Sequence, residues 1–297
     1  MNSVRKPAVA YELLFVIGII AISFSSIFVR WSSADAAVTA MYRLYLTNAL
    51  MLPVLWRYRQ EWLRLTPKQW WLLGASGLML ALHFLLWMAS LSYTTVASST
   101  VILTLEPVFV MIASFLLFGT KANRMMLIGI GIAMVGSVII GSGDFNLSGD
   151  ALLGDVLSLL GAAAVAVHMM IGKQLRSDDG ISAFVYNFTV FFMAASFLAL
   201  YNVVRGNPFI GYSGQDWGAF LLLAIVPTLF GHYLFNWLLK YMHTTAVSMS
   251  VLGEPVIASV LAWALLNEAL TAYQAAAGLL ILFGVWLFIR HGKETHA

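Results

Sequence analysis

Ten stretches of the chain run apolar for long enough to cross a bilayer, whose hydrocarbon takes roughly 20 helical residues. They fall near 11–29, 36–55, 69–91, 95–118, 125–142, 151–172, 182–204, 217–239, 245–266 and 273–290, separated by short polar connections. Open strands would leave backbone groups unpaired in lipid, so each run is predicted to be a helix. The first run follows Arg5 and Lys6 with no small-residue cleavage site at the usual distance, and is expected to remain as the first span.

Composition agrees with this pattern. Of 297 residues, 61% are hydrophobic and 10% charged, where a soluble domain carries about 25% charged residues. The absence of cysteine excludes disulfides, Fe–S clusters and thiolate metal sites. Lys and Arg are distributed unevenly. The amino terminus, alternate connections and the carboxyl terminus hold 13 of the 16, from Arg5 and Lys6 to Arg290 and Lys293. The other connections hold only Arg30 and Arg205, so the positive-inside rule predicts that both termini are cytoplasmic.

The chain repeats itself. A shift of 148 residues places Tyr93 on Tyr241, Glu106 on Glu254, Pro107 on Pro255 and Gly136 on Gly284; a shift of 149 places His83 on His232, and one of 144 places Tyr42 and Arg43 on Tyr186 and Asn187. The predicted architecture is an all-α membrane protein of ten transmembrane helices, in two five-helix repeats at 1–146 and 147–297. Because five is odd, the second repeat is inverted relative to the first, a plan that recurs in secondary transporters with the site at the repeat interface.

The segments SYTTVASSTVILTLEPVFVMIASFLLFG and KYMHTTAVSMSVLGEPVIASVLAWALLNEAL, with Arg43 in AMYRLYL, resemble the paired halves of EamA-type transporters of the drug/metabolite transporter superfamily. The resemblance extends over essentially the whole chain and implies a ten-helix carrier of small metabolites, with the fifth and tenth helices outside the transport core. Two positions depart from the family pattern: ISFSS (22–26) replaces a Trp-Gly, and Gly119-Thr120 replaces a Gly-Glu whose acid survives only as Glu268.

Few ionisable groups lie inside the runs. Glu106 and Glu254 fall near mid-depth, where an ionised side chain costs roughly 2.5–3.5 kcal/mol, and Pro107 and Pro255 beside them are expected to bend their helices. The pairs read as proton-sensitive or gating elements, or as structural groups in which a protonated Glu bonds a neighbouring helix. Arg43 is a cavity cation or a side chain reaching for the interface. His83 and Trp87 share a helical face at i, i+4, and His232 and Asn236 repeat the spacing, so the four are expected to line the site, with an interhelical hydrogen bond as the alternative for each His. Tyr42, Tyr186 and Asn187 are expected there too; His168, without a His counterpart, is given less weight. Small residues in the fifth and tenth runs offer faces for close packing, within the chain or in a homodimer.

The absence of HExxH, GxSxG or a P-loop argues against an intramembrane enzyme and direct ATP coupling. Two unequal halves fit a carrier better than the ring symmetry of a channel. The expected function is a secondary transporter of small metabolites such as amino acids or amphipathic organic compounds, an exporter more than an importer. Proton coupling is the expectation and uncoupled facilitated diffusion the alternative. The expected setting is the inner membrane of a bacterial cell. No cofactor, metal or nucleic acid is expected; the partners are the substrate, the lipid bilayer, protons and a second copy of the chain.

Overall fold

The computed structural model describes residues 11–118, 124–145, 149–178, 180–241, 244–248, 254–268 and 271–291, and among them the regular structure is helical throughout. The first run forms α1 (Tyr11–Ser23) and α2 (Ser25–Trp31). Asp35 then caps α3 (Ala36–Leu55), accepting the Ala37 N–H at 2.8 Å. A 3-10 turn (Trp56–Tyr58) and α4 (Arg59–Leu63) lead to α5 (Pro67–Ser90), which opens on a reciprocal Thr66–Gln69 capping box with Pro67 at its start. Next come α6 (Val96–Leu103), α7 (Glu106–Phe118) and α8 (Arg124–Phe145).

The second half begins with α9 (Gly149–Lys173), prolonged by a π-helical turn (Gln174–Asp178). It continues with α10 (Ala183–Arg205), ended by left-handed Gly206, and α11 (Gly214–Leu223). A π-helical stretch (Ala224–Tyr233) runs into α12 (Leu234–Leu238), followed by α13 (Thr244–Ser248), α14 (Glu254–Leu266) and α15 (Ala272–His291). Five stretches among the described residues are long and apolar enough to cross a membrane: Pro67–Ser90, Val96–Ala113, Gly149–Ser177, Ala183–Arg205 and Gly214–Leu238.

The Glu-Pro bend takes a different form from the one expected. The fourth run is two helices: α6 stops at Leu103, Thr104 and Leu105 form turns, and α7 starts at Glu106. Pro107 therefore sits in a first turn, where its missing N–H has no intrahelical partner to lose. Pro255 takes the same second position in α14, while residues 249–253 before it lie outside the described residues.

Packing pairs the halves. The first run (α1, α2) lies against α11, the π-helical stretch and α12, while α5 lies against α9. The helices α3 and α10 meet, as do α8 and α15, and α6 and α7 contact α13 and α14. Exchanging the halves maps this set of pairings onto itself. The main apolar core, including Leu44, Leu73, Leu80, Phe84 and Phe191, fills the space among α3, α5 and α10. Large apolar side chains such as Leu116, Val138, Leu200 and Leu279 point outward, as lipid rather than water requires.

The small residues of the fifth and tenth runs meet within one chain. Ala133, Gly136, Ala277 and Gly284 are buried where α8 crosses α15. A Cβ on Gly284 would lie 2.6 Å from the Gly129 carbonyl oxygen and 2.7 Å from the Ala133 nitrogen, both backbone atoms that no rotamer change can move. Gly284→Ala is expected to destabilise the protein by about 1–3 kcal/mol, seen as a lower Tm in detergent, whereas Gly131→Ala, with nothing within 4 Å of its added carbon, leaves Tm unchanged.

Candidate functional site

The central cavity is lined by equivalent elements of both halves. His83 and Trp87 come from α5, Leu103 from α6 and Glu106 from α7; His232, Phe235, Asn236, Val247 and Glu254 come from the corresponding part of the second half. Ile22 and Ser25, and opposite them Val165, His168 and Met169, complete the wall. About 50 Å³ is open to the centres of water-sized molecules, room for a few waters.

Local structure explains these positions. Pro227 lacks the N–H that would reach the Leu223 carbonyl. The hydroxyl of Thr228 donates to that carbonyl instead, at 2.7 Å, within the π-helical stretch that also carries His232. The ring centroids of His232 and His83 are 6.3 Å apart at 65°. Trp87 lies parallel to His83, 3° between planes at 6.2 Å, and Nδ1 of His83 bonds the Gly161 carbonyl at 3.0 Å. The expected histidine pair does line the cavity.

Glu106 and Glu254 line it too, each from the first residue of a helix. That placement sets each carboxyl at the positive end of a helix dipole. Oε1 of Glu106, Nε1 of Trp87 and Nη2 of Arg43 are buried and have no hydrogen-bond partner among the described residues.

Arg43, Tyr42, Tyr186 and Asn187 were expected on the lining, but the second and seventh runs stand behind it. Arg43 is fully buried. Its Nε donates to Thr228 Oγ1 at 2.6 Å, Nη1 donates to Ser25 Oγ at 3.1 Å, and its guanidinium lies 4.2 Å from the Phe84 ring centroid. This Arg does not reach for the interface. It fixes the cavity-lining Ser25. Asn187 accepts a hydrogen bond from the Asn236 amide at 2.8 Å, and thereby orients a lining residue. Tyr42 is further away, stacked on Phe220 at 5.2 Å in an aromatic group with Trp217 and Tyr212.

His168, given less weight from sequence, lines the cavity and anchors a buried network. Its Nδ1 and the Tyr186 hydroxyl share the Ser76 hydroxyl, at 2.8 and 2.9 Å. A signal existed in Gly172, one helical turn beyond His168: a Cβ there would fall 2.6 Å from the Tyr186 oxygen. Sequence alone does not say which helix comes that close.

Two polar clusters lie at the bundle's ends. At one, Arg30 bonds the Thr94 carbonyl at 2.8 Å and pairs with Glu268 at 3.1 Å, while Glu268 also accepts the Val96 N–H at 3.0 Å. Asn267, in a left-handed conformation (φ 57°), ends α14 and turns Glu268 toward them. At the other end Arg176 donates to the carbonyls of Asn236 (3.1 Å), Trp237 (3.3 Å) and Ile181, and Lys173 donates to that of Leu239 at 3.0 Å.

Helices throughout the described residues, a lipid-facing apolar surface and a central cavity with a few buried polar groups define an integral membrane protein. The model of the EamA-like transporter family matches the chain twice, at residues 9–142 and 152–290, so the chain belongs to that family and is a membrane transporter. An uncharacterized transporter of Archaeoglobus fulgidus is 28% identical, over 97% of this chain and 98% of its own length. Another, from Bacillus subtilis, is 23% identical over 64% and 65%. A solved crystal structure, 18% identical, superposes with a TM-score of 0.69 over 93% of this chain and 95% of its own, and shares the fold.

Ser76→Ala leaves the buried His168 and Tyr186 without their common partner. The variant is expected to lose about 1–3 kcal/mol of stability, measured as a drop in Tm, and Ser76→Thr is expected to recover part of it by restoring the hydroxyl.

Proposed function

We propose that the chain is a secondary active transporter that exports small metabolites, amino acids or related amphipathic organic compounds, by alternating access coupled to protons. In this reading ten helices span the inner cell membrane as inverted repeats, residues 1–146 and 147–297, with both termini cytoplasmic. The observation that carries it is one cavity at the junction of the halves, to which each half contributes a glutamate, the first half one histidine and the second half two. The open Trp87 donor and the open Glu106 oxygen, both on the cavity wall, favour a substrate that carries both an acceptor and a donor. Glu106 and Glu254 act as proton-sensitive groups.

The end clusters are the two gates. Arg30 and Arg176 are 146 positions apart and each closes the first helix of its half onto the backbone at or near the end of that half's third run. Inverted repeats put such equivalent clamps on opposite faces. Both are engaged, and in this reading releasing one opens one side.

Proteoliposomes test the coupling. Substrate flux is expected to follow an imposed pH gradient, and Glu106→Gln and Glu254→Gln are each expected to abolish that dependence; flux indifferent to the gradient in the unaltered protein identifies an uncoupled carrier. Because the chain has no cysteine, Ile22→Cys provides a single reporter in the cavity. Adding Arg30→Gln is expected to raise its labelling by an impermeant maleimide from outside about fivefold, for about 1 kcal/mol of lost gate closure. Adding Arg176→Gln is expected to lower it.

A further inference from the structure

Where α3 ends and α5 begins, the chain makes a feature with no counterpart in the other half. The connection Trp56–Leu65 forms a short amphipathic piece, and together with α3 and α5 it borders a groove of about 440 Å³, nearly ninefold the central cavity by the same measure. Its walls are Leu52, Leu55, Trp62, Leu63 and Trp70, almost wholly apolar. Trp56 is 74% exposed and Leu63 86% exposed. Side chains this large and apolar lie in lipid, and Trp belongs at the boundary between hydrocarbon and headgroups.

The connection that carries the groove is basic in sequence. Arg57, Arg59, Arg64 and Lys68 stand within thirteen residues that hold one acid, Glu61, and Glu61 is engaged by the Ser182 N–H at 2.6 Å. The corresponding connection of the second half, residues 206–213 (GNPFIGYS), has no charge at all. Arg59 lines the groove with its guanidinium 3.8 Å from the Trp56 ring centroid, and it makes no hydrogen bond with the described residues. A guanidinium against an aromatic ring, with no acceptor among the described residues for its N–H groups, is suited to receive a phosphate through two parallel bonds.

We propose that this groove is a binding site for one anionic phospholipid, its phosphodiester on Arg59 and one acyl chain along Leu52, Leu55 and Trp70. Charge complementarity selects the headgroup and the apolar wall selects a lipid over a free anion. On the proposed topology the groove faces the cytoplasmic leaflet, where anionic lipids draw juxtamembrane basic clusters. The site packs on α3 and α5 and, through the Trp62 Nε1 bond to Thr189 (2.7 Å), on α10. A lipid seated there braces three helices that surround the transport core.

Native mass spectrometry of the purified full chain tests the proposal with phosphatidylglycerol and phosphatidylcholine of identical acyl chains. The unaltered protein is expected to retain one phosphatidylglycerol in preference to phosphatidylcholine, and Arg59→Gln is expected to weaken that retention about tenfold. Arg59→Lys recovers charge without the bidentate fork and falls between. Arg205→Gln, at the opposite end of the bundle, leaves retention unchanged and controls for loss of net charge. Equal retention of the two lipids, undiminished retention in Arg59→Gln, or displacement of the lipid by inorganic phosphate at millimolar concentration overturns the proposal.

Discussion

A guanidinium with no exposed surface sits near the middle of a lipid-facing bundle, and the surrounding structure is arranged to hold it. Moving an unpaired charge out of water costs several kcal/mol even after relaxation. Arg43 meets that requirement with hydroxyls from two other runs and an aromatic face from a third: Ser25, Thr228 and Phe84. Each partner depends on a local irregularity or a close helix approach. Ser25 begins α2, immediately after the break at Phe24. Thr228 follows Pro227, and its hydroxyl both replaces a missing backbone donor and accepts from Arg43.

Irregular backbone in a membrane is tolerated where it is buried in protein or lines a cavity, and here it does both. The break before Glu106 and the π-helical stretch with His232 each bring a polar side chain to the centre while neighbours satisfy the backbone. Helices that end in mid-bundle also orient their dipoles toward the cavity, so Glu106 and Glu254 stand where a negative charge is best tolerated. The wall is thus polar at a few points and apolar elsewhere. That pattern lets a site discriminate by its few unpaired groups.

In the proposed cycle, closure and opening belong to the ends of the bundle. Arg30 with Glu268 and Arg176 with its carbonyls use different chemistry at equivalent positions, one an ion pair and the other a fan of backbone bonds. A partly exposed ion pair is individually weak, and a buried Arg on carbonyls is held more firmly. The two clamps therefore differ in strength, which in the proposed cycle biases the resting protein toward opening at the Arg30 end. A further asymmetry distinguishes the uncharged connection 206–213 from the basic one that carries Arg59.

Hydrophobic run lengths determined where the helices lie, because the alternative conformations leave backbone groups unpaired in hydrocarbon; the described helices follow the predicted runs within a few residues. The internal repeat was equally legible, since paired residues such as His83 and His232 or Glu106 and Glu254 mark equivalent places that the structure brings to one cavity. What a side chain touches once helices pack was not. Residues on one helix share a face by spacing alone, but Ser76 with His168 or Arg43 with Thr228 depends on which helices adjoin and at what rotation. For that reason Arg43 and Asn187 fell behind the wall, His168 moved onto it, and the small residues of the fifth and tenth runs found each other. Sequence by itself determined the elements and their symmetry, because these follow from transfer energies of local stretches. Tertiary structure alone decided the wall of the cavity, because that depends on contacts between residues 60 to 190 positions apart.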